Sequence, residues 1–151
     1  MGLFDWFRKK RTPQPTDASH VADARRMAKW VADALNQSEY NADFSLESLR
    51  EIDRFFDEQS RDGVAVPGGL LAEQLGSRIF ALGSYVGECI IRHHGGQWQA
   101  DDTDPEGEIN IQVVIPGGAV IWRVQRVMKR FRNGAEDGIY AYGRLIRPES
   151  A

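Results

Sequence analysis

The chain contains 151 residues, of which 42% are hydrophobic and 27% are charged, and its formal net charge is -3. This length predicts one domain with its own hydrophobic core, and the charge excludes a globally basic nucleic-acid-binding protein. The single cysteine, Cys89, cannot form an internal disulfide, so the composition does not require an oxidising compartment.

Residues 1–16 are predicted to form an appendage and linker, and residues 17–151 a single domain. In the appendage, apolar residues precede a basic cluster and two prolines: Leu3, Phe4, Trp6 and Phe7, then Arg8, Lys9, Lys10 and Arg11, then Pro13 and Pro15. The segment could lie on an anionic membrane surface, or its aromatic side chains could dock on the domain itself. Its basic residues follow the apolar ones, unlike those of a secretory signal. We therefore expect a cytoplasmic protein.

Two amphipathic helices are predicted first. Apolar residues recur at spacings of three and four across residues 18–36, with Thr16 or Asp17 as the N-cap. The same spacing covers residues 46–59, where Ser45 is the expected N-cap.

A third, long helix is predicted over residues 70–93. It contains Gly76, Gly83 and Gly87, each of which costs about 1 kcal/mol relative to alanine in a helix. Close approach of another backbone is the expected compensation, so this helix is predicted to be central. Its charged residues argue against a membrane span.

Beyond Gly95 and Gly96, which are expected to end the third helix, the hydrophobic period changes to two. Strands are predicted around Trp98, over residues 109–115 and over residues 119–122, the last two joined by the turn "IPGGA". A basic helix over residues 122–132 and a short C-terminal helix follow. The predicted fold class is α+β, with three N-terminal helices packed on a small antiparallel sheet, followed by the basic helix and the C-terminal helix.

The polar residues of the central helix form the first candidate site. Arg78, Tyr85, Glu88 and Arg92 lie on one side of the helix, and Trp98 follows in the next strand. They could line a ligand or active-site pocket. Glu88 stands four residues before Arg92, the favourable order for an ion pair. The residues could equally form a structural network, which we favour because ion-pair networks perturb pKa values without being catalytic.

Two groups of residues resemble parts of a zinc site and a calcium site, but neither is complete. Cys89 and His93 share a helical face and could hold zinc, but no second ligand pair is present. Asp102, Asp104 and Glu106 match the first part of a calcium loop, although Val113 stands where the closing glutamate belongs. We interpret them as a buried helix end and a solvated acidic loop, and no cofactor is predicted.

Charge is unevenly distributed. Residues 119–132 contain five basic residues and no acid, namely Arg123, Arg126, Lys129, Arg130 and Arg132. Residues 39–62 carry eight acids against three arginines, and residues 101–108 carry five acids. The basic segment could meet phosphates, or the acidic segments could neutralise it within the molecule.

"ALGSYVGECIIRHHGGQW" followed by "VMKRFRNGAEDGIYAYG" resembles small bacterial proteins or domains of unknown function. In these a helix containing glycine, Tyr and Glu leads into Gly-Gly-x-Trp, a hairpin and a basic helix ending Asn-Gly. The resemblance covers residues 46–143 and implies a bacterial cytosolic protein. It brings no assigned reaction, cofactor or ligand.

The leading hypothesis is a non-enzymatic protein-interaction module, either an adaptor or an immunity-type inhibitor that neutralises a toxin with its acidic surface. Segregated charge favours steering and specificity toward a protein partner. The alternatives are a small-ligand binder or enzyme using Tyr85, Glu88 and Arg92, and peripheral attachment to membrane or nucleic acid through the basic segments.

Overall fold

The computed structural model describes residues 19–146, which form an α+β fold. The helices are α1 (His20–Gln37), α2 (Leu49–Gln59), α3 (Leu75–His94), α4 (Gly107–Asn110), α5 (Arg126–Asn133) and α6 (Ile139–Leu145). The strands are β1 (Ser60–Arg61), β2 (Val64–Ala65), β3 (Gln97–Gln99), β4 (Gln112–Val114) and β5 (Val120–Arg123). The predicted appendage and the caps predicted at Thr16 and Asp17 lie outside the described residues.

Helix α1 packs along α3, and its apolar stripe joins the core. Ser19 is its N-cap, because the Ser19 Oγ atom accepts a hydrogen bond of 3.1 Å from the Ala22 amide. The helix then runs one residue beyond the predicted end, and the Ser38 amide closes it by donating to the Ala34 carbonyl.

Helix α2 begins three residues later than predicted. Ser45 lies in the turn before the helix, where its Oγ atom accepts from the Ser48 amide at 3.1 Å. Ser45 in turn donates its amide to the Asp43 carboxylate at 3.0 Å. These local side-chain bonds satisfy the backbone in a turn and delay the first helical residue to Leu49.

Helix α3 begins at Leu75 and not at residue 70. Gln74 has a φ angle of +52°, a left-handed conformation that an α-helix cannot contain. Leu70 and Leu71 are nonetheless buried in the preceding loop. The Leu70 amide donates to the Gln59 side chain at 2.9 Å, which holds this loop against α2.

The central position predicted for α3 is confirmed, since nearly all its residues from Arg78 to Ile90 are buried. A Cβ atom on Gly83 would overlap Val124, including its backbone, and one on Gly87 would overlap the indole of Trp98. A Cβ atom on Gly76 would meet nothing within 4 Å, so close packing does not explain that glycine.

Strands β3, β4 and β5 form an antiparallel sheet in that order, with Trp98 opposite Val113 and Val113 opposite Trp122. The predicted turn after Ile115 is confirmed, because the Ile115 amide donates to the Ala119 carbonyl at 3.0 Å. Strands β1 and β2 form a separate antiparallel pair. The Trp122 indole donates to the Gly83 carbonyl at 3.0 Å, which fixes the sheet on α3.

The prediction of a strand over residues 109–115 is wrong for its first half, because Gly107–Asn110 is helical. Asp104 explains the difference. Its carbonyl accepts from the Gly107 amide at 2.9 Å, and its carboxylate accepts from the Glu106 amide and the Asn110 side chain at 2.9 Å each. These bonds turn the chain before the strand begins.

The basic helix also begins later than predicted, because Trp122 belongs to β5 and α5 starts at Arg126. The predicted C-terminal helix is confirmed as α6. Its first amides, those of Ile139 and Tyr140, donate to the Asp53 carboxylate at 2.8 and 2.9 Å. Among residues 19–146, no helix combines the length and the apolar character needed to cross a membrane.

Candidate functional site

The polar stripe of α3 begins deep in the core. Tyr85 is fully buried; its Oη atom accepts from the Phe44 amide at 3.0 Å and lies 2.6 Å from the Ser48 Oγ atom. Arg78 is 4% exposed and donates from Nη1 to the Leu70 carbonyl at 2.6 Å. These bonds tie α3 to the two loops that precede α2 and α3.

Glu88 and Arg92 lie nearer the C-terminal end of α3, and Trp98 follows in β3. The Trp98 indole donates to the Glu88 carboxylate at 2.7 Å, which joins the sheet to the helix. The Arg92 guanidinium carbon lies 3.9 Å from the centroid of the Phe44 ring. Glu88 and Arg92 thus use different partners. The two surface clefts described below have none of the five candidate pocket residues in their walls.

Cys89 and His93, the zinc candidates, do not face the same environment. Cys89 is fully buried, and its Sγ atom lies 3.8 Å from the Ser48 Oγ atom. Burial raises the pKa of the Cys89 thiol to about 12, so the thiol is protonated at neutral pH. His93 is exposed, contrary to the prediction, because His94 takes the inward place and lies 2.9 Å from the Gly143 carbonyl through its Nε2 atom.

The calcium candidates use their carboxylates to hold the loop. Asp102 accepts from the His20 amide at 2.9 Å, and Asp104 makes the bonds that begin α4. The hydrogen bond from Asn110 holds the pKa of Asp104 below its ordinary value. Glu106 contributes its amide to one of these bonds. Within residues 19–146, no group of three histidine, cysteine or carboxylate side chains could hold a metal ion.

Arg130 is not part of the exposed basic surface predicted for it. It is 2% exposed; its Nε atom donates to the Asp53 carboxylate at 2.8 Å and its Nη2 atom to the Asp57 carboxylate at 2.6 Å. Acidic residues of α2 therefore neutralise this cation, as the alternative interpretation of the charge pattern expected. The bonds fasten α5 to α2.

Three further acids of residues 39–62 pair with arginines of the same segment. Arg54 bonds to Glu51 at 2.9 Å and to Glu58 at 3.3 Å, and Arg50 bonds to Glu47 at 2.9 Å. Hydrogen bonding from Arg54 holds the pKa of Glu51 below its ordinary value. Much of the negative charge predicted for this surface is therefore balanced locally.

The four remaining basic residues surround a surface cleft of about 880 Å³, which we call the basic cleft. They are Arg123, Arg126, Lys129 and Arg132. The apolar floor combines residues of α3, β5, the connection between β5 and α5, and α5: Gly76, Ile79, Phe80, Trp122, Val124 and Met128. No carboxylate belongs to the lining that the described residues provide.

Tyr142 of α6 forms one end of the basic cleft. Its hydroxyl donates to the Ile121 carbonyl at 2.8 Å, and the Arg126 guanidinium carbon lies 4.0 Å from the centroid of its ring. Both contacts hold the wall in place before any partner binds. Arg123 is held more loosely, by a single exposed bond of 3.1 Å to Gln112.

Sequence reasoning identified the cations of the basic cleft but missed its floor. Ile79 and Phe80 are 5% and 6% exposed and belong to α3, far along the chain from the basic segment. Both belong to the hydrophobic core, and their apolar character gave no sign that they also border a cleft.

Comparison of this chain with protein-family models, with curated proteins and with solved structures finds no match.

Proposed function

We propose that this chain is a non-enzymatic protein-interaction module that binds an acidic partner through the basic cleft. The observation that carries the proposal is an apolar floor ringed by four cations without a carboxylate in the described lining. Apolar contact supplies binding energy, while uniform charge at the rim accelerates association and rejects wrongly charged partners. An adaptor of the bacterial cytoplasm fits this description, and the low cysteine content is compatible with that location.

An immunity-type inhibitor acting through an acidic surface is the weaker form of the proposal. Such an inhibitor needs carboxylates free to meet a basic toxin. In α2 and the turn before it, however, Arg50, Arg54 and Arg130 pair with five carboxylates. The four cations of the basic cleft form no ion pair with another described residue, and Arg123 and Lys129 are exposed.

A charge-reversal pull-down tests the proposal. The full-length chain is immobilised as wild type and as Arg123→Glu/Lys129→Glu, and bacterial extract is applied at low, intermediate and high salt. The matched control is Arg25→Glu/Lys29→Glu on α1, which makes the same change in net charge outside both clefts. All four side chains are exposed, so each variant should keep its stability within about 0.5 kcal/mol.

The proposal requires one defined protein that wild type and control retain and the cleft variant loses. That protein, once purified, must bind the wild-type chain directly and more weakly as salt rises. Equal binding by all three chains would show that the basic cleft is not the interaction surface. Retention of nucleic acid in place of a protein, abolished by nuclease, would support the alternative of polyanion binding instead.

A further inference from the structure

A second cleft of about 470 Å³ adjoins the basic cleft and also has Tyr142 in its wall. Both clefts have Val120, Arg126 and Tyr142 in their walls, so they adjoin at the stack of Arg126 on Tyr142, and we treat them as one groove across β5, α5 and α6. The second part is also apolar: its lining includes Ile121, and Leu145, which is 63% exposed.

The charge of the groove changes sign along its course. The first part is ringed by four cations, whereas Glu136 and Asp137 border the second part. Arg126 lies at the junction. Asp137 is held by the Asn133 side chain at 2.7 Å, and Glu136 is exposed. An occupant of the whole groove therefore meets positive charge at one end and negative charge at the other.

The groove favours a helix over an added β-strand. Strand addition needs free carbonyl and amide groups along the edge of β5, but the Ile121 carbonyl already accepts the Tyr142 hydroxyl bond of 2.8 Å. An amphipathic helix needs only an apolar stripe to lay into the groove and charged residues along its borders. Both requirements match the lining described above.

We propose that the occupant is an amphipathic helix of a partner protein with acidic residues over one half and basic residues over the other. The acidic half lies among Arg123, Lys129 and Arg132, and the basic half lies beside Glu136 and Asp137. This inference rests on the proposed function and adds the shape and charge order of the partner segment. The chain's own residues 1–11 lack the acidic half, since they contain four cations and one acid.

Two synthetic peptides of identical composition test the charge order. Each has about 18 residues and the same leucine stripe at helical spacing. The block peptide carries glutamate in one half and lysine in the other, and the mixed peptide alternates the two. Affinity for the full-length chain is measured by fluorescence anisotropy at low salt. The block peptide should bind about tenfold more tightly than the mixed peptide.

Charge reversal in the second part of the groove should then change the specificity. Glu136→Lys should reduce the preference for the block peptide about tenfold and improve binding of an all-glutamate peptide. Asp33→Lys on α1 is the matched control, with the same change in charge at an exposed position, and should leave the preference unchanged. Far-UV circular dichroism checks that both variants are folded.

Equal affinity for the block and mixed peptides would overturn the proposed order of acidic and basic halves along the partner helix. If neither peptide binds while a pull-down partner still depends on Arg123 and Lys129, the proposed function stands and this inference fails. If the pull-down fails as well, both fail. Binding of phosphatidylglycerol vesicles with no dependence on Glu136 would identify a lipid surface as the occupant. In a last variant, serine replaces Leu3, Phe4, Trp6 and Phe7. If this variant binds the block peptide tenfold more tightly than wild type, the occupant of the groove is the chain's own N-terminal segment and not a partner protein.

Discussion

The contact between Asp53 and Arg130 should contribute more to stability than any other ion pair described in this fold. Arg130 is 2% exposed, and Asp53 receives three bonds, from the Arg130 Nε atom and from the amides of Ile139 and Tyr140. Asp53 thus neutralises a buried cation and caps the N-terminus of α6 at the same time. Replacing Asp53 with alanine removes both functions.

The expected loss follows from these two contributions. Removing one partner of a buried pair costs about 3–5 kcal/mol, and the lower figure applies because Asp57 keeps its bond to Arg130 at 2.6 Å. Loss of the cap adds about 1 kcal/mol, so the free energy of unfolding of Asp53→Ala should fall by about 4 kcal/mol. In an Arg130→Met chain the cation is already absent, so the same substitution should cost only about 1 kcal/mol.

Urea unfolding followed by tryptophan fluorescence measures all four chains of this cycle. The difference between the two losses, about 3 kcal/mol, is the coupling between Asp53 and Arg130. Asp53→Asn, which loses the charge and keeps one acceptor oxygen, provides a milder variant if the alanine chain does not fold. Asp57→Ala is the control and should cost about 1 kcal/mol or less, since that side chain is 61% exposed. Equal losses in both Arg130 backgrounds would refute the reasoning and leave Asp53 as a cap alone.

Three further predictions concern α3. Gly87→Ala should lower the free energy of unfolding by about 1–3 kcal/mol, because the added Cβ atom would overlap the Trp98 ring. Gly76→Ala should raise it by up to about 1 kcal/mol, because alanine favours the helix and its Cβ atom meets nothing within 4 Å. Urea unfolding should therefore give changes of opposite sign for the two variants, and changes of the same sign would contradict this. Burial raises the pKa of the Cys89 thiol to about 12 in the native state. In the unfolded chain the same thiol loses its proton near the ordinary cysteine pKa of about 8.5. Stability should therefore fall as pH rises above about 9, by at most about 1.4 kcal/mol per pH unit, and Cys89→Ala should show a shallower slope. Glu88→Gln should lower the free energy of unfolding by about 1 kcal/mol and Glu88→Ala by about 2 kcal/mol, because only glutamine can still accept the hydrogen bond from the Trp98 indole. Equal melting temperatures for the two variants would contradict this prediction.

Hydrophobic period and turn chemistry were enough to predict most of the elements. The three-and-four spacing identified α1, α2 and α3, and the Pro116 turn identified the hairpin of β4 and β5. Element boundaries were missed where side chains bond to their own backbone. Ser45 and Asp104 both shifted an element by several residues through such bonds. The spacing of hydrophobic residues cannot reveal these bonds, because it reports which residues are buried and not which side chains compete with the helix or strand for backbone hydrogen bonds.

The sequence predicted the charged residues of the basic cleft but not the cleft itself. Arg123 and Lys129 were identified because their charge is visible in the sequence. Phe80 was not, since a residue that borders a cleft and one inside the core look alike in a hydrophobic pattern. A cleft arises from what lies opposite, here Tyr142 of α6, which is 62 positions later in the chain. Only tertiary structure brings the two together.

Charge segregation survives folding because the acids of α2 and the cations of α5 are unequal partners. Asp53 and Asp57 both bond to Arg130, so two carboxylates neutralise a single cation. Arg50 and Arg54 satisfy other acids of the same segment through bonds within α2 and its preceding turn. Arg123, Lys129 and Arg132 are left exposed beside the apolar floor of the basic cleft, and none of them forms an ion pair with another described residue. Features of this kind are expected where a surface is selected for recognition, and for this reason the basic cleft, and not the buried α3 stripe, is the place to look for a partner.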